Sequence, residues 1–520
     1  MSSRHPVWLA CLAITVLACA AIDVAAQSFN GAITGVVRDS TGGVVAETAL
    51  TLRNIATDQT VATTVSGAEG EYTFRNLAPG KYEVTAIKDG FQQVSMNDIV
   101  VPLSTQVRVD VTLPVGGLQD RVEVTSGTSV LNTTATQEHG ITPETLQQLP
   151  LLMNSGPRAA AGFAILMPGV STGGGSNAFD ARINGGLQSG DEATVDGVSM
   201  QQGFMSQGGM VSIFQDFPMS PDMVSEVKVL TSNYAPEYGS STSGQIMAVT
   251  RSGGSSFHGA GFIYHRDDSL KGTQWGADSK PEFNRNNYGA NIGGPGKLPG
   301  LWNDKVKSFF FFNYEGYRQT GGSNAPTLSI PSLKERNGDF TDWRDGSGNL
   351  IPIYDPATLR PDVNGGYIKD QFMGCNGNQP NVICPSRINP IVRAWLDALP
   401  NPTSDGPLNN YLAPPIPDTI LGNSDYYLGR YDLQFGADHM FASFWHQRAP
   451  AKFVSTLPQA IANETYSDPQ NSWVNRFNWD RTFSGTLLNH MSMGYLNRNE
   501  GYGSVNQGFV DDFPQIAGVA

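Results

Sequence analysis

Between Ser28 and Pro114 apolar and polar residues alternate in short runs: Ala32–Asp39, Thr48–Asn54, Thr60–Ser66, Gly70–Asn76, Lys81–Lys88, Ile99–Leu103 and Gln106–Leu113. A period of two puts Tyr72 with Phe74 on one strand face, Tyr82 with Val84 and Ala86 on another, and Val107, Val109, Val111 and Leu113 on a third. Turn signals separate the runs at Ser40–Gly43, Ala68–Gly70, Ala78–Gly80 and Asp89-Gly90. About seven short strands at this spacing predict a small β-sandwich. Tyr72, Phe74 and Tyr82 then read as its core before they read as a sugar-binding surface.

The pattern changes in the next stretch. Asp120–Thr125 (Asp120, Arg121, Val122, Glu123, Val124, Thr125) is a short extended segment after a Gly-Gly break. Ile141–Pro150 predicts a short helix, with Thr142 able to cap it, Pro143 in its first turn and Pro150 stopping it. In Asp222–Gly254 two strand-like runs set Val224, Glu226 and Lys228 against Val227 and Val229, then Ile246, Ala248 and Thr250 against Met247 and Val249. The loop Tyr234–Gly244 lies between them.

From Ser255 the alternation follows a different logic. Tyr431, Leu433 and Phe435 share a face opposite Arg430, Asp432 and Gln434; Trp473, Phe477 and Trp479 oppose Arg476, Asn478 and Asp480. Met491, Met493 and Tyr495 oppose His490 and Ser492, and Phe310, Phe312 and Tyr314 oppose Asn313, Glu315 and Tyr317. An aromatic face backed by a charged one predicts strands with lipid outside and water or protein inside. Long Pro-rich segments interrupt these runs, Thr320–Asn423 above all, as the long loops on one side of a membrane barrel would.

Composition agrees. Only 15% of the 520 residues are charged and glycine is abundant at 58. The net charge is −14, without a basic stripe, so no nucleic-acid partner is expected. Residues 1–26 have the form of a secretory signal: Arg4 and His5, the apolar run Val7–Ala21, and small residues before cleavage between Ala26 and Gln27. A lipoprotein site at Val16–Cys19 fits less well, because Leu17 directly follows Val16. In an exported chain Cys375 and Cys384 are expected to form a local disulfide that pins a loop.

Candidate chemistry is sparse. Asp191, Glu192 and Asp196 could act as paired carboxylates, but they flank turns with no nucleophile nearby in sequence. His258 and His265 fall on opposite faces of one strand, which removes a two-histidine metal site. No catalytic residue, cofactor or metal is expected, and the protein is read as a non-enzyme.

Two resemblances organise these readings. GAITGVVRDSTGG followed by GEYTFRNLAPGKYEVTAIKDGF resembles the carboxypeptidase-regulatory-like domain, a carbohydrate-binding-like sandwich, and marks residues 28–115. Pro168-Gly169-Val170, Asn184-Gly185-Gly186, Asp196-Gly197-Val198, Glu226–Val229 and Tyr238-Gly239 follow the order seen in the plug of TonB-dependent outer-membrane receptors, assigning residues 118–254. SSFHGAGFIYHR, FNRNNYGANIGGP, KSFFFFNYEGYR and RNGDFTDW resemble the early barrel of Oar-like members of that family, assigning residues 255–520. The implied fold is mainly β: a seven-stranded sandwich, a mixed α+β plug and the first part of an antiparallel barrel.

The resemblance implies a receptor in the outer membrane of a Gram-negative cell, in contact with its lipid, with a periplasmic N-terminal domain. It would import a small-molecule, oligosaccharide or peptide ligand, energised by the TonB–ExbB–ExbD complex, and Asp120–Thr125 would be the TonB box, pairing with its partner as an added strand. The alternative is a surface adhesion or carbohydrate-binding protein without transport. The residues from Ser255 on supply about seven or eight strands, where family barrels have about 22. A C-terminally truncated fragment with an open sheet edge is therefore expected.

Overall fold

The computed structural model describes residues 29–116, 121–125, 137–141, 145, 158, 160–171, 182–186, 190–199, 220–234, 238–239, 241–270, 272–273, 283–296, 306–321, 327–413, 423–449, 457, 465–467, 470–483, 487–497 and 502–504. The signal segment with Ala26 and Gln27, and Asp120, lie outside them.

The first region is a sandwich of two sheets. Its strands are β1 (Gly31–Asp39), β2 (Ala49–Asn54), β3 (Gln59–Val65), β4 (Glu71–Leu77), β5 (Gly80–Ile87), β6 (Gln93–Val101), β7 (Gln106–Arg108), β8 (Val111–Leu113) and β9 (Arg121–Thr125). One sheet runs β4-β1-β7 with β8 also on β1; the other runs β3-β2-β5-β6-β9. The inward faces meet in a core that includes Ile33, Val37, Leu52, Tyr72, Phe74, Tyr82, Val84 and Val107. The three aromatics are thus core, as their alternation predicts. Gly35 lets the chain pass close to β1 between β7 and β8, since a Cβ there would lie 1.8 Å from the Val109 carbonyl oxygen.

Three expectations change in this region. The sixth strand is Gln93–Val101, not Ile99–Leu103: Val94, Ser95 and Met96 are buried although Gln93 and Asn97 flank them, and Leu103 belongs to the following loop. The run Gln106–Leu113 breaks after Arg108, where the Val109 carbonyl accepts the Tyr72 hydroxyl and the Asp110 carboxylate accepts the Val36 N–H. Arg121–Thr125, placed with the second domain by sequence, is a further strand of the sandwich sheet, lying parallel to β6 from Gln93↔Arg121 to Asn97↔Thr125. The sandwich therefore has nine strands and not seven.

The middle region holds β10 (Gln137–Ile141), a 3-10 turn at Ala160–Leu166, β11 (Val170–Ser171), β12 (Arg182–Ile183), β13 (Glu192–Val195), β14 (Val198–Ser199), β15 (Val224–Ser232) and β16 (Gln245–Thr250). Its sheet has the order β10-β15-β16-β13-β14. Ile141 closes β10 and does not open a helix; most of Thr142–Pro150 lies outside the described residues. Asp196 and Gly197 both take positive φ, 49° and 76°, which gives the β13–β14 hairpin its tight turn. Every residue of β16 is buried, so both faces of this sheet are covered.

The third region contains β17 (His258–Asp267), β18 (Phe283–Pro295), β19 (Val306–Gly321), β20 (Thr327–Leu328), β21 (Arg360–Pro361), β22 (Tyr367–Ile368), β23 (Tyr411–Leu412), β24 (Asn423–Phe435), β25 (Asp438–Ala449), β26 (Thr465–Ser467), β27 (Gln470–Thr482), β28 (Leu488–Asn497) and β29 (Tyr502–Ser504). Seven of them form one antiparallel sheet, β17-β18-β19-β24-β25-β27-β28, which does not close. A strand of 13 residues at ~3.3 Å each and tilted ~40° rises about 30 Å, enough to cross a hydrocarbon core. Residues 268–282, 322–422 and 450–469 connect strands at one end of the sheet, while the shorter 296–305, 436–437 and 483–487 do so at the other. The segment between β19 and β24 is folded. It carries α1 (Leu333–Arg336), α2 (Pro390–Ala398) and a disulfide between Cys375 and Cys384.

Candidate functional site

The three regions meet at the short-connection end of the large sheet. Phe29 and Leu103 of the sandwich, Leu230, Tyr238, Met247 and Val249 of the middle region, and Phe441 of β25 form one buried apolar cluster. Around it the polar contacts are specific. Asn30 Nδ2 donates to Asp480 Oδ1 at 2.9 Å, Asn76 Nδ2 donates to the Asn489 carbonyl at 3.3 Å, and the Ser255 N–H donates to the Ala56 carbonyl at 2.9 Å. Phe29 meets His490 edge to face at 5.4 Å.

The contact between sandwich and middle region is a buried clasp. Glu226 and Lys228 share a face of β15, as their spacing predicts. Lys228 Nζ donates to the Leu103 carbonyl (2.6 Å), the Ser104 carbonyl (3.2 Å) and Thr105 Oγ1 (2.7 Å), and pairs with Glu138 of β10 at 2.7 Å. Glu226 Oε2 accepts the Leu103 N–H at 2.8 Å, and Tyr238 is hydrogen-bonded to Ser104. Lys228 is 2% exposed. Burial lowers its pKa from the ordinary lysine value while Glu138 beside it acts in the opposite sense. Burial pushes Glu226 up to about 7, against the pull of the Leu103 N–H and Lys228.

The middle region is also tied to the inner face of the large sheet. Arg158 donates through Nε and Nη2 to the two oxygens of Glu315 on β19 (3.2 and 3.0 Å), and through Nη2 to Asp222 at 2.6 Å and Ser220 at 3.1 Å. Its guanidinium lies 4.1 Å from the Phe262 ring centre on β17. From the opposite direction Arg430 of β24 reaches inward to Thr250, donating to its carbonyl (3.0 Å) and Oγ1 (2.9 Å), while a fork of bonds fixes it to Asp432. Asp196 accepts the Thr250 N–H and hydroxyl, each at 2.9 Å, and lies 3.7 Å from Arg430. It is a turn residue, as its sequence context implies, and its carboxylate also faces the wall.

Asp191 directly precedes β13 and Glu192 opens it; burial raises them to about 6 and about 7, and the Ser199 side chain is hydrogen-bonded to Glu192. No group of three or more metal-ligating side chains occurs among the described residues. His258 and His265 both lie on β17 with opposite parity. The arrangement holds the three regions together through buried charge.

Sequence reasoning singled out Glu226, Lys228, Asp196 and the inward set of Glu315 and Arg430. It missed Glu138, Arg158, Asp222 and the acceptor loop Leu103–Thr105, whose partners lie 33 to 157 residues away. The one local signal was Arg158, a lone cation beside the apolar Ala160–Leu166 run.

Residues 249–519, more than half the chain, match the family model described as outer membrane beta barrel domain, and residues 32–114 match carboxypeptidase regulatory-like domain. The TonB-dependent transporter Oar of Myxococcus xanthus is 28% identical over 262 residues, covering 48% of this chain and 23% of that protein. The chain thus spans about a quarter of this curated relative. Among solved structures, 3-chlorocatechol 1,2-dioxygenase from Rhodococcus opacus is 11% identical over 17% of this chain and 62% of that one, with a TM-score of 0.14. The group B streptococcus pilus 2b backbone protein is 19% identical over 17% and 42%, also at 0.14. Scores this low carry neither fold nor chemistry across.

Proposed function

The chain belongs to the outer membrane beta barrel domain family and is an outer-membrane protein, and from that premise we propose that it is the N-terminal portion of a TonB-dependent transporter importing a small ligand. The middle region acts as the plug, the sandwich faces the periplasm, and Asp120–Thr125 is the segment that the TonB–ExbB–ExbD complex engages. The observation that carries this reading is the bidentate pairing of Arg158 in the middle region with Glu315 on the inner face of β19. A domain tied by buried charge to the polar face of a membrane sheet occupies the lumen, as a plug does.

Two further features support it. The sandwich sits against the short-connection end of the sheet, the periplasmic end in outer-membrane barrels. And β9 is the terminal strand in the order β3-β2-β5-β6-β9, so it presents one backbone edge to which a partner can add a strand. The test is binding of the periplasmic domain of TonB to the full-length receptor, with and without Arg121–Thr125. Capture is expected to vanish with the deletion. Undiminished capture by a correctly inserted variant would refute the assignment.

A further inference from the structure

We infer that Lys228 is a positioning residue that makes the sandwich the load-bearing link between β9 and the plug sheet. This rests on the reading of β9 as the coupling segment. β9 lies parallel to β6 over five paired residues. A pull along β9 loads those bonds in shear, together and not one after another. β6 ends at Val101, and the residues that follow, Leu103–Thr105, are those gripped by Lys228 and Glu226 of β15. The path from β9 through β6 and this loop to β15 is hydrogen-bonded at every step.

The covalent path is longer. Between β9 and β10 stand residues 126–136, whose full contour is about 40 Å. The clasp instead reaches β15 in one contact, through hydrogen bonds of 2.6 to 3.2 Å. The clasp is also shielded, because Lys228 is 2% exposed and its carbonyl acceptors lie against it. Force arriving at β15 passes to β16, its antiparallel neighbour, and so to Thr250, where Arg430 holds the plug to the wall. The sandwich is thereby a transmission element, and its loop at Leu103–Thr105 is the point where the load crosses into the plug.

Single-molecule pulling on the full-length receptor in a supported bilayer tests this, with the handle attached through Thr125→Cys. The wild-type clasp should give a stiff rise to the first rupture. In Lys228→Met combined with Glu138→Leu, which removes both charges, the first rupture should come at lower force. Lys228→Arg should restore the stiff rise. Thr105→Val, which deletes one acceptor and keeps the side-chain shape, should lower the first rupture alone. Hydrogen exchange of the β16 amides, unchanged in each variant, separates loss of the link from loss of the plug fold. A first rupture unmoved by both the double variant and Thr105→Val overturns the proposal. The failure of the coupling-segment reading is separately visible, since TonB capture would then survive deletion of Arg121–Thr125 whatever the traces show.

Discussion

In β1 of the sandwich the buried side chains are Ile33 and Val37, while Thr34 and Arg38 face away from the core. In β24 of the large sheet the buried positions are Ser424, Tyr426, Leu428, Arg430 and Asp432, and the outward ones are Tyr427, Tyr431, Leu433 and Phe435. Both strands alternate with period two, yet the polar face lies outside in one and inside in the other. The sandwich excludes water from an aliphatic core. The barrel sheet turns aromatics toward lipid and keeps its charges for the middle region. The same periodicity therefore leaves the solvent unidentified; the residue types on the outward face identify it.

The largest effect should come from breaking the sandwich side of this comparison. Ile33→Asp puts a carboxylate in a site that is fully enclosed and should cost about 4–5 kcal/mol, enough to expose the β1 and β4 amides to hydrogen exchange. The same charge on the inner wall meets donors instead: Gln319 Oε1 accepts from Arg285 and from the Tyr317 hydroxyl, so Gln319→Glu should leave the sheet folded. Equal damage from both substitutions would erase the distinction.

Next in size is the anchor between the middle region and the large sheet. Arg158→Leu leaves Glu315 and Asp222 buried without their cation and should destabilise the middle region by roughly 3–5 kcal/mol. Adding Glu315→Leu should recover most of that loss, because the pair then leaves only one carboxylate to resolvate. A denaturation series of the two single variants and the double variant measures the coupling, and strict additivity would show that the contact carries no energy.

What could be read from sequence follows the same division. The sandwich strands and the outward aromatics of β24 and β27 were legible because each depends on near neighbours in the chain. The assignment of Arg121–Thr125 to the sandwich was not, since its pairing with Gln93–Asn97 crosses the sequence signal of a domain break. The clasp was half legible. Glu226 and Lys228 stood on one face of a strand, but their acceptors are main-chain groups of Leu103 and Ser104, which no side-chain pattern reveals. The strand Gln93–Val101 was obscured because Ser95 is buried beside Thr85, a hydroxyl pair in place of an apolar one.

The lipid side gives a smaller effect. Phe477 is at the middle of β27 and 38% exposed on the outward face. Phe477→Arg should cost about 2–4 kcal/mol in a bilayer, whereas Phe477→Leu should be close to neutral. Measured in urea from lipid vesicles, a harmless arginine there would place that face against protein and not lipid.

The smallest expected effect is one of pH, and it lies between the two extremes of environment. Glu192 is buried at the start of β13, and its folded-state pKa stands at about 7 against an ordinary 4.5, first because burial penalises the carboxylate, partly offset by a hydrogen bond from Ser199. A raised carboxyl binds its proton more tightly in the folded state. Its contribution is therefore complete below the unfolded value and is lost as pH rises through the folded one. Between pH 5.5 and 7.5 that loss amounts to about 2 kcal/mol. Asp191, raised to about 6, acts in the same direction over the lower part of the window. Hydrogen exchange of the β13 amides should thus show protection falling as pH rises, after correction for intrinsic exchange. Glu192→Gln should remove most of the slope while leaving protection at about pH 4, below the unfolded value, nearly unchanged, since amide and protonated carboxyl are close in shape and neither is charged. A slope of the same size in the glutamine variant would mean that water reaches Glu192, and that β13 is closer in character to the wet inner wall than to a dry core.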